Sequence, residues 1–135
     1  MKLLALDTSM AACSAAILDT DRDVILARRW VAMERGHAEA LAPMVAEVLQ
    51  EAELHPRDLS RIAVTAGPGT FTGVRIGLAM ARGLGLALGI PVAGLDSLTA
   101  IAANVPPGRP VLVAADARKE EVYAAGFDAD GTRRF

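Results

Sequence analysis

Apolar and polar positions follow the period of strands in the first part of the chain and the period of helices after it. Three short apolar stretches, at residues 2–7, 12–18 and 23–32, are separated by turn-forming residues and predict three consecutive strands. Because their connections are short, neighbouring strands should pair antiparallel. From residue 37 to residue 53, apolar positions recur at intervals of three and four, which predicts a helix. Pro43 falls inside this helix and should kink it or mark a late start.

The segment from residue 61 to residue 95 is the most informative part of the sequence. It predicts a strand at residues 61–66, a glycine-rich turn, a helix from about Val74 to Leu88, and a strand at residues 91–95. Together with the preceding elements, this order is that of a ribonuclease-H-like domain, whose fourth and fifth strands add in parallel beside the first. The sequence therefore predicts an α/β fold with a mixed five-stranded sheet.

Domain boundaries are indicated by proline and glycine. A short helix at residues 98–103 should end a first domain of residues 1–103, and residues 104–110, with three prolines and a glycine, predict a linker. Residues 111–135 then contain two further strands and a hairpin turn, and we interpret them as the start of a second, similar domain. A few strands cannot close a core of their own, so we expect a fragment with unpaired strand edges in this region.

Composition places the chain among soluble globular proteins. Of its 135 residues, 53% are apolar and 22% charged, and the formal net charge of −2 gives no general attraction for nucleic acid. Any contact with RNA should therefore be indirect. The single cysteine, Cys13, cannot form an internal disulfide and fits a reducing cytoplasm. Nothing resembles a secretory signal, and the longest uncharged stretch, residues 83–95, is too short to span a membrane.

Two loops are candidates for binding a phosphate or nucleotide. The first follows the first strand and the second precedes the second long helix, whose free N–H groups and dipole suit an anion. The candidate residues are Asp7, Thr8, Ser9, Gly67, Gly69, Thr70 and Gly73. Their spacing matches neither the P-loop nor the dinucleotide-binding fingerprint. Asp7 could hold hydrated magnesium or act as a base, and it could equally cap the end of its strand.

No set of residues predicts a catalytic centre or a metal site. A nuclease of this fold needs carboxylates converging on two metal ions, yet the fourth strand carries none. His37 and His55, the only histidines, are not at helical spacing for a shared metal. The sequence therefore argues against a nuclease and against a metallopeptidase.

The second long helix carries a stripe of small residues at intervals of four. Such a stripe permits close packing, either on the chain's own sheet or against another subunit. We favour the subunit contact, because the first helix also presents a broad apolar face. The predicted interface comprises Leu41, Met44, Val45, Val48, Gly77, Ala81 and Gly85.

Four segments resemble the TsaB (YeaZ) family in their order and spacing. They read DTSMAACSAAI, ERGHAEALAPMVAEVL, IAVTAGPGTFTGVRIGLAMARGLGLALGIPV and AADARKEEVYAA. That family belongs to the actin, Hsp70 and sugar kinase superfamily, and it serves in bacterial synthesis of threonylcarbamoyladenosine next to the anticodon of tRNA. The resemblance implies a cytoplasmic subunit that binds the TsaD-type catalytic paralogue through its two long helices, together with a TsaE-type ATPase.

The resemblance also implies that the chain is not itself the catalyst. In the TsaD-type paralogue, two histidines four residues apart follow the fifth strand and hold a metal. Aligned on Gly94, those positions fall on Ser97 and Ile101, and isoleucine cannot ligate a metal. By the same resemblance the chain pairs with itself when alone and binds no cofactor alone, while ATP or ADP could lie at the boundary of the complex. The alternative is an ATP-dependent small-molecule kinase or ATPase of the same superfamily, favoured by Asp7 and the glycine turn.

Overall fold

The computed structural model describes all 135 residues and shows an α/β fold built on a mixed five-stranded sheet. The strands span Lys2–Asp7 (β1), Ala12–Asp19 (β2), Val24–Ala32 (β3), Arg61–Thr65 (β4) and Val92–Leu95 (β5). The strand order is β3-β2-β1-β4-β5; neighbours among β1, β2 and β3 are antiparallel, and β4 and β5 run parallel to β1. The predicted ribonuclease-H-like arrangement is confirmed.

Two long helices follow the pattern in the sequence, with corrections at their starts. The helices span His37–Glu51 (α1) and Phe71–Leu88 (α2). α1 begins at His37 with Pro43 inside it, so the predicted late start is wrong. α2 begins three residues before the predicted Val74, because the Thr70 hydroxyl accepts the Gly73 N–H at 3.0 Å and caps the first turn. Gly73 was predicted to lie in the turn, but it lies within the helix.

The main core lies between one face of the sheet and both long helices. Leu4 and Ile62, which are partners in the register of β1 and β4, are fully buried in this core. Ile17 of β2 and Val48 of α1 join them, both without exposed surface. α1 packs mainly on β2, and α2 packs mainly on β4. Both helices therefore cover the same face of the sheet.

The turn between β2 and β3 is fixed by Asp19. Its carboxylate accepts a hydrogen bond from Lys2 Nζ at 2.5 Å and another from the Asp21 N–H at 3.1 Å. The hydrogen bond from Lys2 is the main reason that the pKa of Asp19 lies below its ordinary value. A carboxyl group whose pKa is lowered by folding stabilises the protein above its unfolded pKa. That stabilisation is lost as the pH falls through the folded pKa.

We expect Asp19→Asn to lower the Tm at about pH 7, and this loss to shrink as the pH falls through the lowered folded-state pKa of Asp19, where the wild-type carboxylate is also protonated. Thermal unfolding followed by circular dichroism across this range measures the effect. Asp23→Asn is the matched control, because Asp23 lies in the same turn, forms no ion pair and has a φ of 53°, which asparagine tolerates. A Tm difference that is the same at both ends of the pH range would contradict the prediction.

The last part of the chain forms a smaller unit. β6 (Val111–Arg118) and β7 (Glu121–Phe127) make a two-stranded antiparallel sheet, and α3 (Ser97–Ala102) packs on it. Leu98 of α3 is buried with side chains of the two strands in a second cluster, which comprises Leu98, Val113, Ala125 and Phe127.

α3 was predicted to end the first domain, and in the structure it packs on the β6–β7 hairpin. Its buried side chain joins the hairpin instead of the five-stranded sheet. Arg133 strengthens the same unit by pairing with Asp96 at 2.9 Å, at the start of α3. Burial disfavours the charge of Asp96, but hydrogen bonds from Thr99 and Arg133 outweigh it and keep the pKa of Asp96 below its ordinary value. The domain limits themselves stay a prediction.

α2 is long and apolar enough, by length and composition, to cross a membrane, with a mean hydropathy of 1.3 over 18 residues. It is nevertheless a helix of the packed fold, because its glycine side lies against β4 and β1. Arg75 and Arg82 also interrupt its exposed side. Composition alone therefore does not mark α2 as a membrane helix.

Candidate phosphate loop and outer helix surface

Asp7 joins the carboxyl ends of the two central strands. Its Oδ1 accepts hydrogen bonds from the Ser9 N–H at 2.9 Å, the Ser9 hydroxyl at 2.6 Å and the Thr65 hydroxyl at 2.6 Å. Because Thr65 ends β4, the carboxylate ties that strand to β1 and closes the turn that follows Asp7. This is the strand-capping role that the sequence left open beside metal binding and base catalysis.

The two loops predicted to bind phosphate are packed directly against each other. The Thr8 hydroxyl donates to the Gly73 carbonyl at 2.6 Å, and the Thr70 N–H donates to the Ser9 carbonyl at 2.8 Å. Thr8 and Ser9 are each only 1% exposed. Their hydroxyls are therefore used inside the chain and do not face a ligand.

Close backbone approach explains the glycines of this turn. A Cβ on Gly69 would lie 2.3 Å from the Ser9 carbonyl oxygen, and one on Gly73 would lie 2.2 Å from the Thr8 carbonyl oxygen. Gly67 has a φ of +104°, in the region that favours glycine. The pattern that suggested a phosphate loop is thus sufficiently explained by the contact between β1 and α2. Phosphate binding by these residues stays a prediction.

A groove of about 1170 Å³ lies beside this contact. Its walls come from the segment before α1, the first turn of α2 and the tip of the β6–β7 hairpin. The lining carries charges of both signs, contributed by Glu34, Arg35, Glu39, Asp116 and Arg118, and it includes the exposed Phe71. His37 closes one end, where its Nε2 lies 2.9 Å from the Met10 carbonyl oxygen. The mixed charge suits a polar or zwitterionic surface better than a simple anion.

Neither Ser97 nor Ile101 has the chemistry of a metal site. These are the positions that the resemblance aligns with the two metal-binding histidines of the TsaD-type paralogue. Ser97 is 2% exposed; its N–H donates to the Gly67 carbonyl at 2.9 Å, and its hydroxyl has no hydrogen-bond partner. Ile101 lies on the exposed side of α3. In addition, no three His, Cys, Asp or Glu side chains come together anywhere in the structure.

Cys13 is not placed to act as a nucleophile. It is fully buried in β2, and its Sγ lies 3.9 Å from the Sδ of Met44. Burial first, and then the negative charge of Asp7, raise the pKa of the Cys13 thiol. The thiol therefore stays protonated and packs as a small apolar group.

The predicted interface residues lie inside the chain's own core, which corrects the sequence-based prediction. All seven of them are buried: Leu41, Met44, Val45, Val48, Gly77, Ala81 and Gly85. A Cβ on Gly77 would lie 2.8 Å from the Thr8 hydroxyl, and one on Gly85 would lie 2.5 Å from Val92 Cγ2. The small-residue stripe therefore lets α2 approach its own sheet. Packing of the stripe on the chain's own sheet was the alternative to the subunit contact that we favoured.

The outward sides of the same two helices form an exposed surface that was not predicted from the sequence. We call it the outer helix surface and define it by Ala38, Ala42, Ala46, Phe71, Arg75, Ala79 and Leu86. Phe71 is 76% exposed and Leu86 is 88% exposed, and the Arg75 guanidinium lies 4.9 Å from the centre of the Phe71 ring. The alanines at intervals of four on α1 were the signal that could have indicated it.

Comparison with known proteins gives the family. The model described as "TsaD: tRNA N6-adenosine threonylcarbamoyltransferase" matches residues 31–134. The chain is 35% identical over 133 residues to the tRNA threonylcarbamoyladenosine biosynthesis protein TsaB of Escherichia coli, covering 96% of this chain and 56% of that protein. The structure of YeaZ from Pseudomonas aeruginosa matches with a TM-score of 0.85 and 37% identity, covering 98% of this chain and 63% of that one. The chain belongs to the TsaB (YeaZ) family.

The relatives that the chain matches are longer than the chain. An uncharacterized protein of Mycobacterium tuberculosis is 44% identical over 131 residues, and the match covers 97% of this chain but 61% of the relative. The chain thus spans between about a third and two thirds of the length of the relatives it matches, from 36% to 63%. The TsaB family assignment confirms the resemblance noted in the sequence and the actin-like, ribonuclease-H-like fold.

Proposed function

We propose that the chain is a non-catalytic partner subunit in the synthesis of threonylcarbamoyladenosine in tRNA. The observation that carries this proposal is the outer helix surface, which exposes Phe71 and Leu86 on a fold whose interior residues supply no catalytic set. Large apolar side chains on an exposed helix pair are typical of protein interfaces. Curated TsaB relatives bear the name of this pathway, which supports the same role here.

The partner of this surface is the TsaD-type catalytic paralogue, and a TsaE-type ATPase joins the pair. α1 and α2 supply the contact through their outward sides, since their inward sides are buried against the sheet. In the absence of that partner, the same surface pairs two copies of the chain. Such a subunit acts in the cytoplasm and contacts tRNA only through the complex, in keeping with its net charge of −2.

We propose that nucleotide binds only at the boundary of the complex. The Thr8 and Ser9 hydroxyls are bonded inside the chain, which supports the view that the chain alone has no complete nucleotide site. ATP or ADP is expected at the boundary of the complex only when a second subunit supplies the remaining contacts.

The proposal is tested by reconstitution. The chain, the TsaD-type and TsaE-type proteins of the same organism and an ANN-decoding tRNA are combined with threonylcarbamoyl-AMP and ATP, and the modified adenosine is quantified by mass spectrometry. We expect product only when the chain and its partners are both present, and none from the chain alone. Light scattering should show a homodimer that gives way to a heterodimer.

The kinase or ATPase alternative predicts a different result in the same samples. ATP turnover by the chain alone, abolished by Asp7→Ala and unaffected by Asp58→Ala, would overturn the partner-subunit proposal. Asp58 is a suitable control, because its exposed carboxylate serves only the local turn by accepting the His55 N–H at 2.8 Å. Product formation that does not depend on the chain would overturn the proposal as well.

A further inference from the structure

β3 is an edge strand of the five-stranded sheet, and one side of its backbone has no partner strand. It pairs with β2 on its other side only. The Met33 N–H, just after β3, donates to the Ala11 carbonyl at 3.1 Å and so points toward β2. In an antiparallel strand, the N–H and C=O groups of successive residues point alternately to the two sides. Arg28, Trp30 and Ala32 therefore direct their backbone groups away from β2, and we call these three residues the free β3 edge.

The free β3 edge is accessible to another strand. All three of its residues are exposed, and Trp30 is 68% exposed. None of them takes part in the backbone hydrogen bonds made outside helices and strands, and only the Arg28 carbonyl has another donor, the Arg29 guanidinium at 2.9 Å. Edge strands are commonly protected by proline, lysine or a β-bulge. Here the bulge lies between residues 25 and 27, so the pairing of residues 28–32 with β2 stays regular.

Two copies of the free β3 edge are complementary when they pair antiparallel about Trp30. In that register each Trp30 lies opposite Trp30 of the other copy, and each Arg28 lies opposite Ala32. All the outward N–H and C=O groups are then paired, in about six hydrogen bonds. Aromatic side chains directly opposite each other also attract. A register centred on Arg28 would instead place like charges opposite each other, and one centred on Ala32 would leave most of the edge unpaired.

Charge does not oppose the register centred on Trp30. Arg29 points to the helix face of the sheet and is already paired with Glu47 and Glu51 of α1. Its neighbour across the pair would be the uncharged Val31 of the other copy. Arg28 forms no ion pair, but the two Arg28 residues lie four positions apart along the pair, at about 14 Å. That separation exceeds the Debye length of about 8 Å at physiological ionic strength.

We propose that the free β3 edge pairs two copies of the chain antiparallel in the register centred on Trp30, so that their two sheets form one continuous sheet. The contact is weak, because a single pair of short strands buries less than the roughly 1,000 Å² of a stable interface. It does not rest on the proposed function. The outer helix surface belongs to α1 and α2 and uses side chains, whereas this contact belongs to β3 and uses mainly backbone hydrogen bonds.

The experiment starts from the Leu86→Glu variant, because this substitution should remove pairing through the outer helix surface and leave the sheet edge unchanged. Sedimentation equilibrium is measured from micromolar to millimolar concentration, together with the emission of Trp30, which is the single tryptophan of the chain. We expect a dimer whose fraction grows with concentration, and Trp30 emission that moves to shorter wavelength as the dimer forms. A monomer with unchanged emission over the whole range would overturn the proposal.

Two lysine substitutions, added to the same variant, locate the contact. Trp30→Lys places two ammonium groups opposite each other at the centre of the pair and should weaken dimerisation by at least about tenfold. Val24→Lys adds the same charge to the same strand, but on the far side of the bulge and outside the paired stretch, and should leave dimerisation unchanged. Circular dichroism verifies that both proteins are folded. Equal weakening by the two substitutions would overturn the proposal.

Cysteine substitutions test the register. Directly opposite, hydrogen-bonded residues of antiparallel strands have Cα atoms about 5.5 Å apart, a distance that a disulfide spans. Trp30→Cys should therefore cross-link two copies when treated with oxidised glutathione. Val31→Cys should not, because it lies opposite Arg29 and two positions away from its own copy. The native Cys13 is fully buried and does not interfere. Cross-linking of Val31→Cys as readily as Trp30→Cys would overturn the proposed register.

Discussion

Gly73→Ala should lower the free energy of unfolding by about 3 kcal/mol, the upper range for overpacking a closely packed site. The added methyl group would lie 2.2 Å from the Thr8 carbonyl oxygen and 2.5 Å from the Thr70 hydroxyl. The first of these is backbone and cannot rotate away, so β1 and the start of α2 must separate. That separation also strains the hydrogen bond from the Thr8 hydroxyl to the Gly73 carbonyl. Urea unfolding followed by circular dichroism measures the loss.

Gly83→Ala is the matched control in the same helix. Nothing lies within 4 Å of a Cβ at this exposed position, so alanine adds only its better helix propensity. We expect a gain of about 0.5–1 kcal/mol. Opposite signs of the change in free energy of unfolding would establish that Gly73 is needed for close packing and that Gly83 is not. A neutral result for Gly73→Ala would contradict the close contact between β1 and α2.

Leu86→Glu should abolish pairing through the outer helix surface, with at least about a hundredfold loss of affinity, or about 2.7 kcal/mol, as for a central interface residue. This expectation rests on the proposed function. Leu86 is 88% exposed, so its replacement leaves the core intact and should change the free energy of unfolding by no more than about 0.5 kcal/mol. Light scattering measures the mass of the complex with the TsaD-type paralogue, and titration calorimetry measures the affinity between the two proteins.

Leu112→Glu provides the comparison for this prediction. Leu112 is also a largely exposed leucine, but it lies on β6, away from both long helices. It should leave the pairing unchanged. If the two substitutions weaken association equally, the effect comes from added charge and not from the outer helix surface. Gly77→Leu could not make this distinction, because its side chain would enter the core against Thr8 and Val64 and would report on folding.

The fold was predictable from the sequence because each of its main elements has its own periodicity. The three antiparallel strands, α1 and the strand–turn–helix segment at β4 and α2 all stand where the apolar pattern placed them, within a few residues. The start of α2 was missed because Gly73 suggested a turn, while the capping hydroxyl of Thr70 had already begun the helix. The packing of α3 on the hairpin was not predictable, since six residues carry too little pattern to show what they pack against.

The candidate site was less predictable from the sequence than the fold, because both long helices carry small residues at regular spacing. α1 has alanines on its outward side and α2 has glycines on its inward side, so both helices offer a small-residue stripe. Spacing reveals such a stripe but not the direction it faces. Only the distances from Gly77 and Gly85 to their neighbours decide that the stripe of α2 belongs to the interior.

The contact between β1 and α2 has a consequence for how such sequences evolve and are interpreted. Gly69 and Gly73 cannot change while this packing is kept, because a side chain on either glycine would meet the backbone of Ser9 or Thr8 whatever residues stand there. Substitutions at the two glycines should therefore be rare, and lineages should keep the glycines long after their chemistry has diverged. A shared glycine turn is accordingly a record of common descent and of one packing arrangement. It does not tell whether a descendant still handles a nucleotide.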